Sequence, residues 1–331
     1  MPPRLVILSE PTVASYGAIG ELYRVTFERM GIAASLRPYP VGRRPQVPRD
    51  AIVLHNTLGF RFTPVAGAVN IAVPFHEWSR YPAEWTARLN RFDAVWAASD
   101  HVRRTLRCSG VTAPIRLAPP ALDLLPPPPK RRWSAERPFR FLFIGEPHFR
   151  KGHHLLIQGF RRLSGRRAAT LTIKTSPGCA WRVPDRNIHL VRASWPRRKL
   201  LELYRSHDAF VSASLGEGLG LGVAEAMLAG LPVAANRWGG HRSLLAPGAF
   251  TPIRHRVVLQ PFCSVPEFFA PGQQCAFSSP EDVEAAMERL MDMSAAERRT
   301  QAERAQAVVR ERFGLEAVAP RLRAALEGAD E

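Results

Sequence analysis

Ser212-Ala213-Ser214-Leu215-Gly216-Glu217-Gly218-Leu219-Gly220-Leu221-Gly222-Val223-Ala224-Glu225-Ala226-Met227 is the stretch whose reading decides the fold. The apolar run Ala209 to Ala213 leads into it, and Leu231-Pro232-Val233-Ala234 and the pair Gly239-Gly240 follow. This pattern predicts a buried strand, a glycine-rich loop, a short helix from about Val223 to Ala229 and a second strand over Leu231–Ala235. Glycines at 216, 218, 220 and 222 let a ligand approach the backbone and leave N–H groups free to point at it. Glu217 falls in the loop and Glu225 in the first turns of the helix, so two carboxylates flank one helix N-terminus. Amides suit anionic oxygens and carboxylates suit hydroxyls, which points to a phosphate-bearing, hydroxyl-rich ligand. A glycine-rich strand–turn–helix alone is an ordinary unit; the length of this pattern sets it apart.

Glu217-Gly218-Leu219-Gly220-Leu221, a second glutamate eight positions after the first, Ala226-Met227, Gly230-Leu231-Pro232-Val233 and the closing Gly239-Gly240 resemble the donor-sugar motif of the retaining glycosyltransferases of family 4. A second signal lies upstream. Phe139 to Gly145 reads as a strand, followed by Glu146-Pro147-His148-Phe149-Arg150-Lys151-Gly152 and a helix to about Leu163. Family 4 enzymes carry an aromatic-x-Gly-Arg and then Lys-Gly here, and the basic pair holds the donor's diphosphate. This sequence departs from them: Glu146 stands where the arginine follows the glycine, and Arg150 is the candidate for the missing charge. Gly-Lys-Ser/Thr is absent, so this is not a Walker loop.

The resemblance implies an α/β chain of the GT-B fold, two Rossmann-like domains with parallel sheets facing a central cleft. Residues 1–125 would form the acceptor-side domain and 126–312 the nucleotide-sugar domain, with 313–331 a helix packing back on the first. It also implies transfer of a hexosyl group from a nucleotide-diphosphate sugar to an acceptor hydroxyl, with retention and without a bound metal or other cofactor. By motif position Glu217 meets the donor sugar, as positioner or nucleophile, and Glu225 the ribose hydroxyls. Arg150, Lys151 and the loop at Gly218, Leu219 and Gly220 complete the donor site. Gly17, in the first loop, closes over the donor's phosphates, and His76 faces the reacting sugar. The acceptor stays open among lipid, polysaccharide and small natural product.

Composition bounds these expectations. The 331 residues are enough for two domains, and 46% hydrophobic with 23% charged residues fits a globular protein without a membrane span. The net charge is +17; four of the 46 basic residues are lysine (130, 151, 174, 199) and the other 42 arginine. That excess suits an anionic partner, but the arginines are scattered and no nucleic-acid-binding module appears, so a nucleotide ligand is favoured, with peripheral contact to an acidic membrane surface left open. Cysteines 108, 179, 263 and 275 form no Cys-x-x-Cys pair and have no histidines at zinc spacing. They read as reduced thiols, and Leu5-Val6-Ile7-Leu8 is too short for a signal peptide, so a cytoplasmic protein is expected.

Along the chain, Arg4–Ser9 reads as a strand, then a loop from Pro11 to Gly20 before an amphipathic helix to about Met30. Ala51–Asn56 and Ala68–Phe75 are strand-length runs ending near His55-Asn56 and Phe75-His76-Glu77-Trp78, where an open parallel sheet meets its ligands. His55 fits a structural and a functional role equally. Trp85 and Trp96 read as packing, and the linker is marked by Pro126-Pro127-Pro128-Pro129. Trp195, in the turn after the strand Ile188–Ala193, a turn that by resemblance corresponds to the base-binding turn, fits an exposed packing role at least as well as that of a cover for a nucleobase. Leu245–Gln274 has no clear period and reads as an irregular insertion or lid. Ser279-Pro280-Glu281-Asp282 opens a capped helix, followed by helices over Ala295–Arg312 and Leu315–Leu326. Two other functions share these features: a nucleotide-sugar epimerase on the same fold, and a non-catalytic transferase-like partner subunit, the latter motivated by Glu146.

Overall fold

The computed structural model describes residues 4–10, 14–40, 45–123, 137–260 and 266–328. The proline linker, Pro11 and Cys263 lie outside them. The chain divides into two units: Met1–Leu124 with Leu259–Gln274 and Arg310–Glu331, and Leu125–Val258 with Cys275–Val309.

In the first unit, β1 (Leu5–Ser9), α1 (Ala14–Arg29), β2 (Ala34–Pro38), β3 (Ile52–Asn56), β4 (Val69–Ala72), α2 (Ala83–Leu89), β5 (Ala94–Ala97), α3 (Asp100–Cys108) and β6 (Ile115–Leu117) alternate. The strands form one sheet in the order β2-β1-β3-β4-β5-β6, each neighbouring pair parallel. β1 and β5 are buried throughout, as expected for parallel strands covered on both faces. β4 ends at Ala72, short of the expected Phe75, because Pro74 has no N–H for the ladder. Trp85, Trp96 and Trp78 are buried, so the tryptophans are packing residues.

α1 begins at Ala14, well before the expected start after Gly20. Gly17 and Gly20 are therefore helical rather than loop residues. The reason for Gly20 is contact with the sheet: a Cβ there would lie 2.6 Å from Ser9 Oγ. A Cβ on Gly17 would meet nothing within 4 Å.

The second unit repeats the alternation with β7 (Phe139–Ile144), α4 (His153–Ser164), β8 (Ala169–Thr175), β9 (Ile188–Arg192), α5 (Arg197–Ser206), β10 (Ala209–Ser212), α6 (Leu221–Leu228), β11 (Val233–Ala235) and β12 (Thr251–Pro252). The sheet order is β12-β11-β10-β7-β8-β9, again parallel. The chain builds outward from β7 on one side and then returns to its other side. The carboxyl ends of β7 and β10 thus sit side by side at the point where the strand order reverses, the usual ligand position in such sheets.

The 245–274 stretch is more ordered than its sequence indicates. After β12, β13 (Arg256–Leu259) pairs with β14 (Gln274–Phe277) in a two-stranded sheet. Between them, residues 259–274 belong to the first unit, where the Phe268 ring meets Trp85 edge-on at 4.9 Å. α7 (Pro280–Asp292) opens with a capping box in which Ser279 and Asp282 satisfy each other's backbone N–H groups. α8 (Ala295–Phe313) follows, and α9 (Leu315–Glu327) lies in the first unit, where Arg323 donates to the Met30 carbonyl at 2.9 Å.

Candidate functional site

Two loops meet at the reversal point of the second unit. One runs from Gly145 to Gly152 after β7, the other from Ala213 to Gly220 after β10. The Leu215 N–H donates to the Arg150 carbonyl at 2.7 Å. Gly152 has φ +64°, and a Cβ there would fall 1.9 Å from the Ala213 carbonyl oxygen. Only glycine lets the loops approach this closely. A third segment, Gly239-Gly240, closes on the same place: the Gly240 N–H donates to the Glu217 carbonyl at 2.6 Å, and a Cβ on Gly240 would lie 2.3 Å from the Gly218 carbonyl oxygen.

Glu217 is the centre of this arrangement. Lys151 Nζ donates to its Oε1 at 2.6 Å, Ser214 Oγ donates to the same oxygen at 2.8 Å, and Arg150 Nη1 lies 3.3 Å from Oε2 while donating to the Gly216 carbonyl at 2.8 Å. The side chain is only 12% exposed. Burial by itself raises the carboxyl's pKa, but Lys151 and then Arg150 outweigh it, and the group is held at about 2. Glu217 is therefore a permanent carboxylate, and two cations are gathered where three loops present backbone amides. Gly220, at φ +93°, is the N-cap of α6. Gly218 and Leu219 are buried, so Leu219 can offer a ligand its backbone only.

Glu225 lies on α6, just beyond the loop. Tyr204 donates to its Oε2 at 3.0 Å, and burial raises the Glu225 carboxyl against the opposing charges of Arg197 and Lys174. Burial also lowers Lys174, which sits at the end of β8 near Glu146 and Glu225. Glu146 itself is tied into the next loop: it accepts from Thr175 Oγ1 at 3.0 Å, Ser176 Oγ at 2.8 Å and Ser176 N at 3.1 Å. The residue replacing the family's arginine thus anchors the chain after β8. Trp195 is half-buried, with the Lys199 ammonium 4.4 Å from its ring centre.

Arg150, Lys151, Glu217, Gly218, Leu219, Gly220 and Glu225 therefore share one end of one sheet. His76 and Gly17 belong to the first unit. His76 is wholly buried after β4, its ring 4.9 Å from Tyr81 and 5.3 Å from Trp85. His55 has a structural role: its Nε2 donates to Asn70 Oδ1 at 3.0 Å, Phe92 packs edge-on at 5.0 Å, and burial lowers it to about 4. Sequence reasoning passed over Ser214, Asn236 and His241, which hold the glycine loop, and Tyr204, Arg197 and Lys174 around Glu225. It also passed over Glu10, wholly buried at the first unit's own reversal point and bound by Arg61 at 2.6 Å and Thr57 at 3.0 Å. Among these, only Ser214 lies inside the motif; the rest carry no local signal.

Among the described residues no group of three His, Cys, Asp or Glu side chains is placed to hold a metal ion, and no helix is long and apolar enough to cross a membrane.

Residues 138–293 match the family described as glycosyl transferases group 1. No curated protein sequence matches the chain. Among solved structures, the chain is similar to Anabaena HepE in complex with UDP and glucose, with TM-score 0.67, 13% identity, and 98% of this chain and 99% of that one covered. It is similar to the trehalose-6-phosphate synthase OtsA with TM-score 0.65, 11% identity and coverage of 97% and 99%. It is also similar to S. aureus TarM in complex with fondaparinux, alpha-GlcNAc-glycerol and UDP, with TM-score 0.58, 13% identity and 82% of this chain covered. The chain spans about half (54%) of TarM's length. At these identities the likeness is one of fold, and the fold is GT-B.

Proposed function

We propose, from the match of residues 138–293 to the glycosyl transferases group 1 family, that this protein transfers a hexosyl group from a nucleotide-diphosphate sugar to an acceptor hydroxyl, with retention of anomeric configuration. The observation that carries the reading is the Glu217–Lys151–Arg150 cluster at the glycine loop before α6. A diphosphate arriving there meets two cations and the N-terminal amides of α6, charge-assisted contacts of the kind phosphates favour. Drawn to the diphosphate, the cations leave Glu217 as an acceptor for the donor's sugar hydroxyls. A carboxyl held at about 2 is a weak base, which supports binding and charge stabilisation rather than proton abstraction.

In the reaction, the acceptor oxygen bonds to the anomeric carbon on the face from which the diphosphate leaves. The anomeric carbon–phosphate oxygen bond breaks, and the acceptor's proton passes to the departing phosphate oxygen. Lys151, Arg150 and the loop amides stabilise the negative charge developing there, in the role a metal takes in other transferases. Glu225, one turn into α6, takes the ribose hydroxyls. The parts of His76 and Gly17 rest on the family resemblance alone. HepE and TarM are complexes with UDP, which makes a uridine donor the first to test.

The test is mass-spectrometric turnover of UDP-, GDP- and dTDP-sugars, each alone and with cell extract, beside Glu217→Ala. Transfer from one donor that is lost in the variant supports the reading. Isomerised sugar without transfer replaces it with the epimerase, and absence of any donor binding replaces it with the non-catalytic subunit.

A further inference from the structure

His241 lies on the 3-10 turn Gly239–Ser243 directly beneath the glycine loop, 1% exposed. Its Nδ1 is 3.1 Å from the Asn236 carbonyl oxygen. A carbonyl only accepts, so Nδ1 carries the hydrogen and the neutral ring keeps its lone pair on Nε2. That nitrogen faces the loop: a Cβ on Gly220 would lie 3.0 Å from Nε2 and 2.5 Å from the adjacent Cδ2. No hydrogen bond to Nε2 occurs among the described residues. The same Asn236 donates through Nδ2 to the Ser214 carbonyl at 2.6 Å, and Ser214 Oγ reaches Glu217. The imidazole is thus fixed on one side by the network that holds Glu217 and bare on the side toward the loop.

The charged groups within electrostatic reach of this ring are Glu217, Lys151 and Arg150. Burial, the largest influence, holds the imidazole below its ordinary value; Glu217 and the Asn236 carbonyl favour the proton, while Lys151 and Arg150 oppose it. In the free protein the three charged neighbours sum to one positive charge, and the ring is neutral near pH 7. A diphosphate placed against Lys151 and Arg150 reverses that sum.

We propose that His241 is the proton-accepting member of the donor site: a nucleotide-diphosphate sugar binds together with a proton from solvent, carried on Nε2 of this imidazole. The bound proton turns Nε2 into a donor toward the loop and adds a third cation around the diphosphate. This rests on the donor-site reading above. By linkage, the affinity strengthens as pH falls through the window between the ring's value in the free protein, below 6.5, and its value in the complex.

The experiment is titration calorimetry with UDP-glucose, and with GDP-mannose where UDP-glucose does not bind. The phosphates of both are diesters with no proton to exchange near neutrality, so uptake belongs to the protein. Enthalpies in buffers of different ionisation heat report net proton uptake, and affinity is expected to rise by up to about tenfold per pH unit between about pH 8 and about pH 6. His241→Asn keeps a donor near the Nδ1 position and removes Nε2; its binding should be flat with pH and take up no proton. Binding by the native protein without proton uptake overturns the proposal, as does uptake that persists in His241→Asn. Where neither binds, the donor found by the turnover panel is titrated instead; if no sugar nucleotide of that panel binds, the donor reading fails and this proposal with it. Should the variant fail to fold, imidazole nitrogen spectra of the native protein decide. A ring with Nδ1–H in the free protein that gains an Nε2 proton on adding UDP-glucose supports the proposal, and no such ring overturns it.

Discussion

Gly152→Ala tests the claim that the site is built by two loops in backbone contact. An alanine at φ +64° costs roughly 1–2 kcal/mol in backbone strain alone. Its Cβ would start 1.9 Å from the Ala213 carbonyl oxygen, which is backbone and has no rotamer to turn aside. The loops must part by roughly 1 Å or more in a close-packed setting. Parting them breaks the Leu215 N–H to Arg150 bond, worth about 1 kcal/mol, and draws Lys151 from Glu217. The expected loss is about 3–5 kcal/mol, large for one substitution and attributable to a named clash. In a unit of this size that lowers the melting temperature by on the order of 10 °C. Thermal and urea unfolding measure the stability, and donor turnover measures the site, which should fall together with it. Gly178→Ala is the control, because a Cβ there meets nothing within 4 Å and its φ is not positive. If Gly152→Ala stayed within 1 kcal/mol of the native protein by these assays and turned over donor normally, the loop contact would not be what shapes the site.

The acid stability of the second unit carries the signature of Glu217. Its carboxyl is depressed from 4.5 to about 2, so its contribution of about 3 kcal/mol is present above pH 4.5 and lost as pH falls toward 2. Urea midpoints across that range should show a step that Glu217→Gln removes, and the same variant should lose on the order of 10²-fold or more in donor turnover. Gly17→Ala places a methyl in open space on a helix and should stabilise the first unit by roughly 0.5–1 kcal/mol, read as a raised urea midpoint; destabilisation would contradict its helical position. Glu146→Ala removes the acceptor for Thr175 and Ser176 and should cost about 1–2 kcal/mol in unfolding free energy. It should leave the Kd for donor within a few-fold; a larger change would show that the anchored loop after β8 shapes the donor site.

The sequence by itself determined many of the elements and brought Glu217, Glu225, Arg150 and Lys151 forward as candidates. Apolar runs marked β7, β8 and β10, the Ser279–Asp282 box marked the start of α7, and the long glycine-loop motif marked Glu217 and its helix. These are local signals, set by side-chain period, caps and backbone freedom within a few residues. Where the local signal was a glycine it could mislead: Gly17 and Gly20 read as loop but lie in α1, and Gly20 is small because Ser9 of β1 is against it. Tertiary structure alone decided which distant residues meet. Lys151 and Glu217 are 66 positions apart and pair because β7 and β10 are neighbours, a consequence of sheet order that no local pattern encodes. The same applies to Glu146, whose partners Thr175 and Ser176 lie at the end of β8 and just after it, and to His241, brought beneath Gly220 by the return of the chain after β11. A residue's type states which interactions it can make. Strand order states which of them it does make, because it sets which loops share one end of a sheet.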